Sequence, residues 1–226
     1  MTAARPAARV GVIVFPGSND DRDLARGFAL CGGQVEMIWH KDARLPELDG
    51  IGIPGGFSYG DYLRCGAMAR FSPVMRAVVQ FAAAGRPVLG VCNGFQILCE
   101  AGLLPGALVR NRQLQFVCED VRVAVEERGL MRAELTPGQE LVIPVKHGEG
   151  AYVPDPERKP RVAFRYVGGS PNGSTDDIAG IVNDAGNVMG LMPHPEHAVD
   201  ALLGSTDGAR LLRSFLAACV ALRETR

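Results

Sequence analysis

Apolar positions fall into two rhythms along the chain, and the alternation between them organises its first half. ARVGVIVFPGS ends an apolar run at a Pro-Gly break, and DRDLARGFALC then places Leu24, Phe28 and Cys31 at helical spacing. QVEMIWH reads as a second strand and IGIPGG as a third that ends in glycines. PVMRAVVQFAAAG reads as a helix closed by Gly85, and RPVLGVC as a fourth strand. Strand and helix taken in turn predict an α/β fold, a doubly wound and largely parallel sheet flanked by helices. From about Leu108 the rhythm changes to strands separated by turns: FVCEDVRVAVE, ELVIPVKH, RVAFRYV, IAGIVND and NVMGLM. These predict additional antiparallel strands in the second half, as an extension of the same sheet or as a small packed ribbon. STDGARLLRSFLAACVAL sets Leu211, Leu212, Phe215, Cys219 and Leu222 on one face and predicts a closing helix. VPDPERKP is a surface loop, too short to link two domains.

Length and composition narrow the class. A chain of 226 residues, 47% hydrophobic and 22% charged, buries roughly 70% of its unfolded surface around one core, so a single domain over residues 1–226 is expected. A net charge of -1 provides no basic stripe for nucleic acid and no polybasic segment for a membrane surface. No apolar stretch reaches the roughly 18 residues of a membrane helix, and MTAARPAARV lacks the apolar centre of a secretory signal, which points to the cytoplasm. The six cysteines show no close paired spacing, and reduced thiols are expected.

One of those thiols stands apart. In VLGVCNGFQILCEAG, Cys92 lies between Gly90 and Gly94 where a strand pattern gives way to a helical one. This is the G-x-nucleophile-x-G form of a nucleophile elbow, with cysteine in the reactive place. The tight turn exposes the side chain at the strand's end, and the N-H groups of the following helix favour negative charge on the sulfur. A buried cysteine in an ordinary turn is the alternative reading.

A thiol nucleophile needs a base to take its proton and later return it to a leaving group. Met192-Pro193-His194-Pro195-Glu196 offers a histidine stiffened by two prolines, with a carboxylate two residues on to fix its ring. His-Pro-Glu also occurs as a plain surface turn. His194 and His197 suggest metal only weakly, since no Cys or Asp/Glu cluster in the sequence completes a shell. Ile53-Pro54-Gly55-Gly56 ends the third predicted strand, where bare backbone N-H groups at the sheet's ligand crevice can hold an oxyanion. A phosphate loop competes for these glycines, but the chain contains no G-x-x-x-x-G-K-[ST].

Taken together, the PGG strand end, the G-V-C-N-G-F-Q elbow and the H-P-E loop resemble the class I, triad-type glutamine amidotransferases in type and order. Further stretches narrow the likeness. Pro16-Gly17-Ser18-Asn19 with Asp21-Arg22-Asp23, Gly56 to Arg64, His147-Gly148-Glu149-Gly150 and Pro171-Asn172-Gly173-Ser174 look like the glutaminase subunits of phosphoribosylformylglycinamidine synthase, in the small, multi-subunit form. Asp20 stands where that family usually has cysteine, and His197 where arginine is usual. The resemblance implies that Cys92, His194 and Glu196 form a catalytic triad that hydrolyses glutamine to glutamate and ammonia. It implies that Gly55, Gly56 and Asn93 hold the oxyanion and that Gln96 contacts the substrate. His147 is left outside the triad, lining the site or holding a partner's loop. No cofactor is expected on this chain. The resemblance further implies that ATP and magnesium belong to a large synthetase subunit, with a small bridging subunit as the other partner. An amidotransferase for another acceptor, or a cysteine hydrolase on a similar sheet, is the alternative.

Overall fold

Residues 7–224 are described by the computed structural model; the first six residues of MTAARPAARV lie outside it. In chain order the first half contains β1 (Arg9–Val14), α1 (Asp21–Leu30), β2 (Gln34–Trp39), β3 (Gly50–Ile53), α2 (Pro73–Ala83), β4 (Val88–Val91) and α3 (Asn93–Glu100). The second half contains β5 (Ala107–Val109), β6 (Val117–Val125), β7 (Glu140–His147), β8 (Ala151–Val153), β9 (Arg161–Tyr166), β10 (Ile178–Val182), β11 (Val188–Leu191) and α4 (Asp207–Glu224).

Nine strands make one sheet in the order β2-β1-β3-β4-β11-β10-β9-β6-β7, and β5 pairs with β8 in a separate ribbon. The sheet is parallel from β2 to β11 and antiparallel beyond. Continuous apolar runs occupy its centre: β3, β4, β10 and β11 are buried at every position, because helices cover both faces there. β7, near the open end, instead alternates, with Leu141, Ile143, Val145 and His147 turned inward. The five strands expected in the second half all extend the main sheet, and the ribbon is built from β5 and β8, which the sequence pattern did not predict. The last strand of the second half joins the two parts of the sheet: β11 is antiparallel to β10, as expected, and parallel to β4 on its other side.

Helices divide between the faces. Gly52 lies against Phe28 of α1, whereas the next residue, Ile53, lies against Gly94 of α3, so α1 and α3 cover opposite sides. Helix α4 joins α1, with Phe28 and Phe215 ring centroids 5.3 Å apart. On α4, Leu211, Leu212, Phe215 and Cys219 are buried as their spacing predicts, and Leu222 is half-buried. Among the described residues no helix is long and apolar enough to cross a membrane.

Candidate active site

Parallel pairing places the reactive residues. β4 and β11 run side by side with Val91 opposite Leu191, so the residues just past their ends emerge together. The backbone N-H of Cys92 donates to Leu191 O at 2.8 Å, and the chain beyond Leu191 leads directly to His194. β3, on the other side of β4, brings Gly55 and Gly56 to the same edge. Nucleophile, base and glycine pair, scattered through the sequence, thus meet at the C-terminal edge of the parallel strands, where doubly wound sheets hold ligands.

Cys92 adopts φ 50°, ψ -106° and caps α3. For a non-glycine residue such a backbone costs on the order of 1–3 kcal/mol and persists only where packing enforces it. Gly94 shows the enforcement: a Cβ there would sit 2.0 Å from Ile53 O. Behind the elbow, His194 is completely buried, with Nδ1 donating to Glu196 Oε1 at 2.6 Å. Nε2 makes no hydrogen bond among the described residues and is the nitrogen left to exchange a proton with the sulfur. Burial by itself lowers the basicity of His194; the Glu196 carboxylate and the Cys92 sulfur overcome this and raise its pKa above the ordinary 6.5. The site therefore favours imidazolium, the partner a thiolate requires.

Gly55 makes room for the base. A Cβ there would lie 2.6 Å from His194 Cε1 and 2.5 Å from Asp20 Oδ2. Gly56 lines the cleft that opens over Cys92, a space of about 360 Å³. Asn93 is buried; its side-chain oxygen accepts from Ser58 N at 3.1 Å, which ties the loop after β3 to the elbow. Gln96 also lines the cleft, but its amide is engaged on both sides: it accepts from Asn93 Nδ2 at 2.8 Å and donates to Glu149 O at 2.6 Å. Gln96 braces helix α3 against the loop after β7.

Several cleft residues escaped the sequence reading. Carboxylates Asp20, Asp61 and Glu149 and cations Arg110 and Lys146 share the cleft, so charges of both signs are available to an amino acid. Cys65 donates to Glu149 Oε2 at 3.1 Å, and burial raises its pKa, as burial also raises that of Asp61. His147 lines the cleft, one of the two places the sequence allowed it. Burial pushes its pKa down to about 4 against a hydrogen bond to its own backbone, and the charge on His194 adds to the fall, so it is neutral. Asn172, fully buried, donates to Gly150 O at 2.9 Å and approaches His147 Nε2 at 3.3 Å; Asn111 donates to His147 O at 2.9 Å. The HGEG stretch, expected to line the site or meet a partner, and the PNGS stretch, noticed only as a resemblance, thus form one buried polar frame for the cleft wall.

Asp20, His194, Glu196 and His197 bring oxygen and nitrogen atoms within 4.8 Å of one another, a cluster that the sequence spacing concealed. Its donors are already committed. Asp20 Oδ1 is paired with the Lys146 ammonium, and Glu196 Oε1 holds the proton of His194 Nδ1, so the set fits an ion-pair network better than a cation site.

A cysteine on a strained elbow, a buried histidine-carboxylate pair and a mixed sheet with the crevice at its parallel end define the glutamine amidotransferase class. The chain belongs to the family of CobB/CobQ-like glutamine amidotransferase domains, which matches residues 7–209. Within it, the chain is 54% identical to the phosphoribosylformylglycinamidine synthase subunit PurQ of Frankia casuarinae, over 96% of this chain and 96% of that protein. It is 55% identical to the subunit of the same name from Rhodococcus jostii, over 93% and 97%. A chain in the structure of PurLQS from Thermotoga maritima superposes with a TM-score of 0.89 at 40% identity, covering 94% of this chain and 99% of that one.

Proposed function

We propose that this chain is the glutaminase subunit of a phosphoribosylformylglycinamidine synthase, and that Cys92, His194 and Glu196 carry its chemistry. The sulfur of Cys92 attacks the side-chain carboxamide of glutamine, and its proton resides on His194 Nε2. Backbone N-H groups of the Gly55-Gly56 segment and of Asn93 receive the charge that develops on the carboxamide oxygen. His194 then gives the proton to the departing nitrogen, ammonia leaves, and a glutamyl thioester remains on Cys92. Water, deprotonated by His194, releases glutamate and restores the thiol. Glu196 keeps the proton on Nδ1 throughout, so Nε2 always faces the reaction.

What supports this reading above all is the pairing of β4 with β11, which sets an elbow cysteine beside a buried imidazole whose other nitrogen is held at 2.6 Å by a carboxylate. Relatives named PurQ, and the PurLQS assembly, supply the acceptor side of the proposal. Ammonia passes to a large synthetase subunit that holds ATP and magnesium and converts formylglycinamide ribonucleotide to the amidine in purine biosynthesis. A small third subunit bridges the two, and the assembly works in the cytoplasm without nucleic acid or membrane. The test is Cys92→Ala in the assembled enzyme. Glutamine-dependent synthesis should vanish while synthesis from added ammonium salts remains; loss of both would make Cys92 a structural residue.

A further inference from the structure

Asp20 occupies the N-cap of α1, where aspartate is favoured because its carboxylate accepts the helix's free N-H groups. Here the carboxylate makes no such bond. It turns inward, only 4% exposed, and meets three other groups. Lys146 of β7 pairs with it directly, His194 Nδ1 lies 3.8 Å from Oδ2, and His197 Nε2 lies 3.7 Å from Oδ1. The rings of His194 and His197 stack at 5.2 Å with 10° between their planes. An aspartate that gives up its local role to face a buried imidazole is placed for that imidazole.

The geometry points to Asp20 as a second carboxylate for His194, a positioning residue whose influence Lys146 sets. The inference rests on the glutaminase reading given above. Glu196 holds the Nδ1 proton at 2.6 Å, and Asp20 lends negative charge to the same side of the ring without a direct hydrogen bond. Lys146 withdraws part of that charge. It is about one-third exposed and lines the cleft. The other ionisable groups around His194 are Cys92 on the elbow, His197 on its own loop and neutral His147 on β7.

Removing the two members of the pair should act in opposite directions. Asp20→Asn should lower kcat for glutamine hydrolysis roughly tenfold and move the alkaline limb of the rate profile down by about one pH unit, as His194 loses its proton more readily. Lys146→Met should move that limb up, because the carboxylate it leaves behind acts undiluted on the imidazolium. The rate profile is measured as glutamate release by the assembled complex, and the NMR titration of His194 in the chain alone should follow the same order. Shifts in the same direction, or a His194 titration unchanged in both variants, would overturn the role of Asp20. If Asp20→Asn does not fold, Lys146→Met and Asp20→Glu still decide: the first must raise the limb and the second must keep it near wild type. Cys92→Ala, measured in parallel, separates the two levels. Hydrolysis that survives in Cys92→Ala refutes the glutaminase reading and this inference with it, whereas an inactive Cys92→Ala beside unshifted Asp20 and Lys146 variants removes the inference alone.

Discussion

At the scale of single residues, six thiols share one chain and differ in their surroundings. Burial raises the pKa of Cys31, Cys65, Cys99 and Cys219, which keeps them protonated and unreactive, and Cys118 is exposed on β6. Cys92 alone caps a helix in a strained turn beside a histidine held as imidazolium. A glutamine-like electrophile should therefore label Cys92 first, and peptide mapping that finds Cys118 or Cys65 modified earlier would contradict its proposed role. His194 also gives a pH signature. Its folded pKa is raised, so the stability its charge lends is complete below about pH 6.5, the unfolded value, and is lost as the pH climbs through the raised value. The gap in denaturation midpoint between wild type and His194→Asn should accordingly narrow in alkaline buffer. Glu196→Gln would remove the negative charge beside Nδ1 and should cut kcat by roughly two to four orders of magnitude, read as glutamate release, with the alkaline limb moved downward.

Elements decide how those residues come together. The elbow works only if α3 packs close on β3, and Gly94 is the point of closest approach, with Ile53 O occupying the place of a side chain. Gly94→Ala must push strand and helix apart; a loss on the order of 3 kcal/mol is expected, seen as a lowered denaturant midpoint together with lost glutaminase activity. If the variant keeps wild-type stability, the packing account of the G-x-C-x-G pattern is wrong. This local pattern was readable in the sequence because strand, turn and helix are contiguous there. The same holds for the buried face of α4 and for Glu196, two residues from His194. What was hidden depends on pairing between distant strands. Nothing local in NVMGLM says that β11 lies parallel to β4, yet that register brings His194 to Cys92. Lys146 reaches the cleft only because β7 ends beside it, and Asp20, noticed in the sequence only as standing where cysteine is usual, shows its role only when its side chain is seen turned inward. The β5–β8 ribbon, three residues per strand, was too short to show a rhythm.

Across the whole molecule, the cleft has an apolar rim that a chain working alone would not keep in water. Tyr62 is 72% exposed, Leu63 78% and Leu114 76%, with Phe57 and Phe116 beside them. They flank the cleft-lining residues Asp61, Cys65 and Gln115, and clustered apolar side chains at a site's mouth mark a docking surface. The same rim contains unusual backbone: Tyr59, Asp61 and Leu63 all have φ between 54° and 72°, and Gly60 has φ 67°. A segment with several left-handed residues can exchange arrangements at modest cost, and a partner seated on its exposed side chains would select one of them. The isolated chain should therefore be a poor glutaminase that improves on assembly. A synthetase that binds the competent arrangement about 3 kcal/mol more tightly raises its population by up to roughly a hundredfold. Glutamate release is to be compared for the chain alone, for the chain with its synthetase and bridging subunits, and for the full assembly with ATP and formylglycinamide ribonucleotide. The rate should rise at each step, and Leu63→Asp should blunt the first rise without altering the rate of the chain alone. Equal rates in all three states would mean that the cleft is already competent and that its apolar rim does not couple it to a partner.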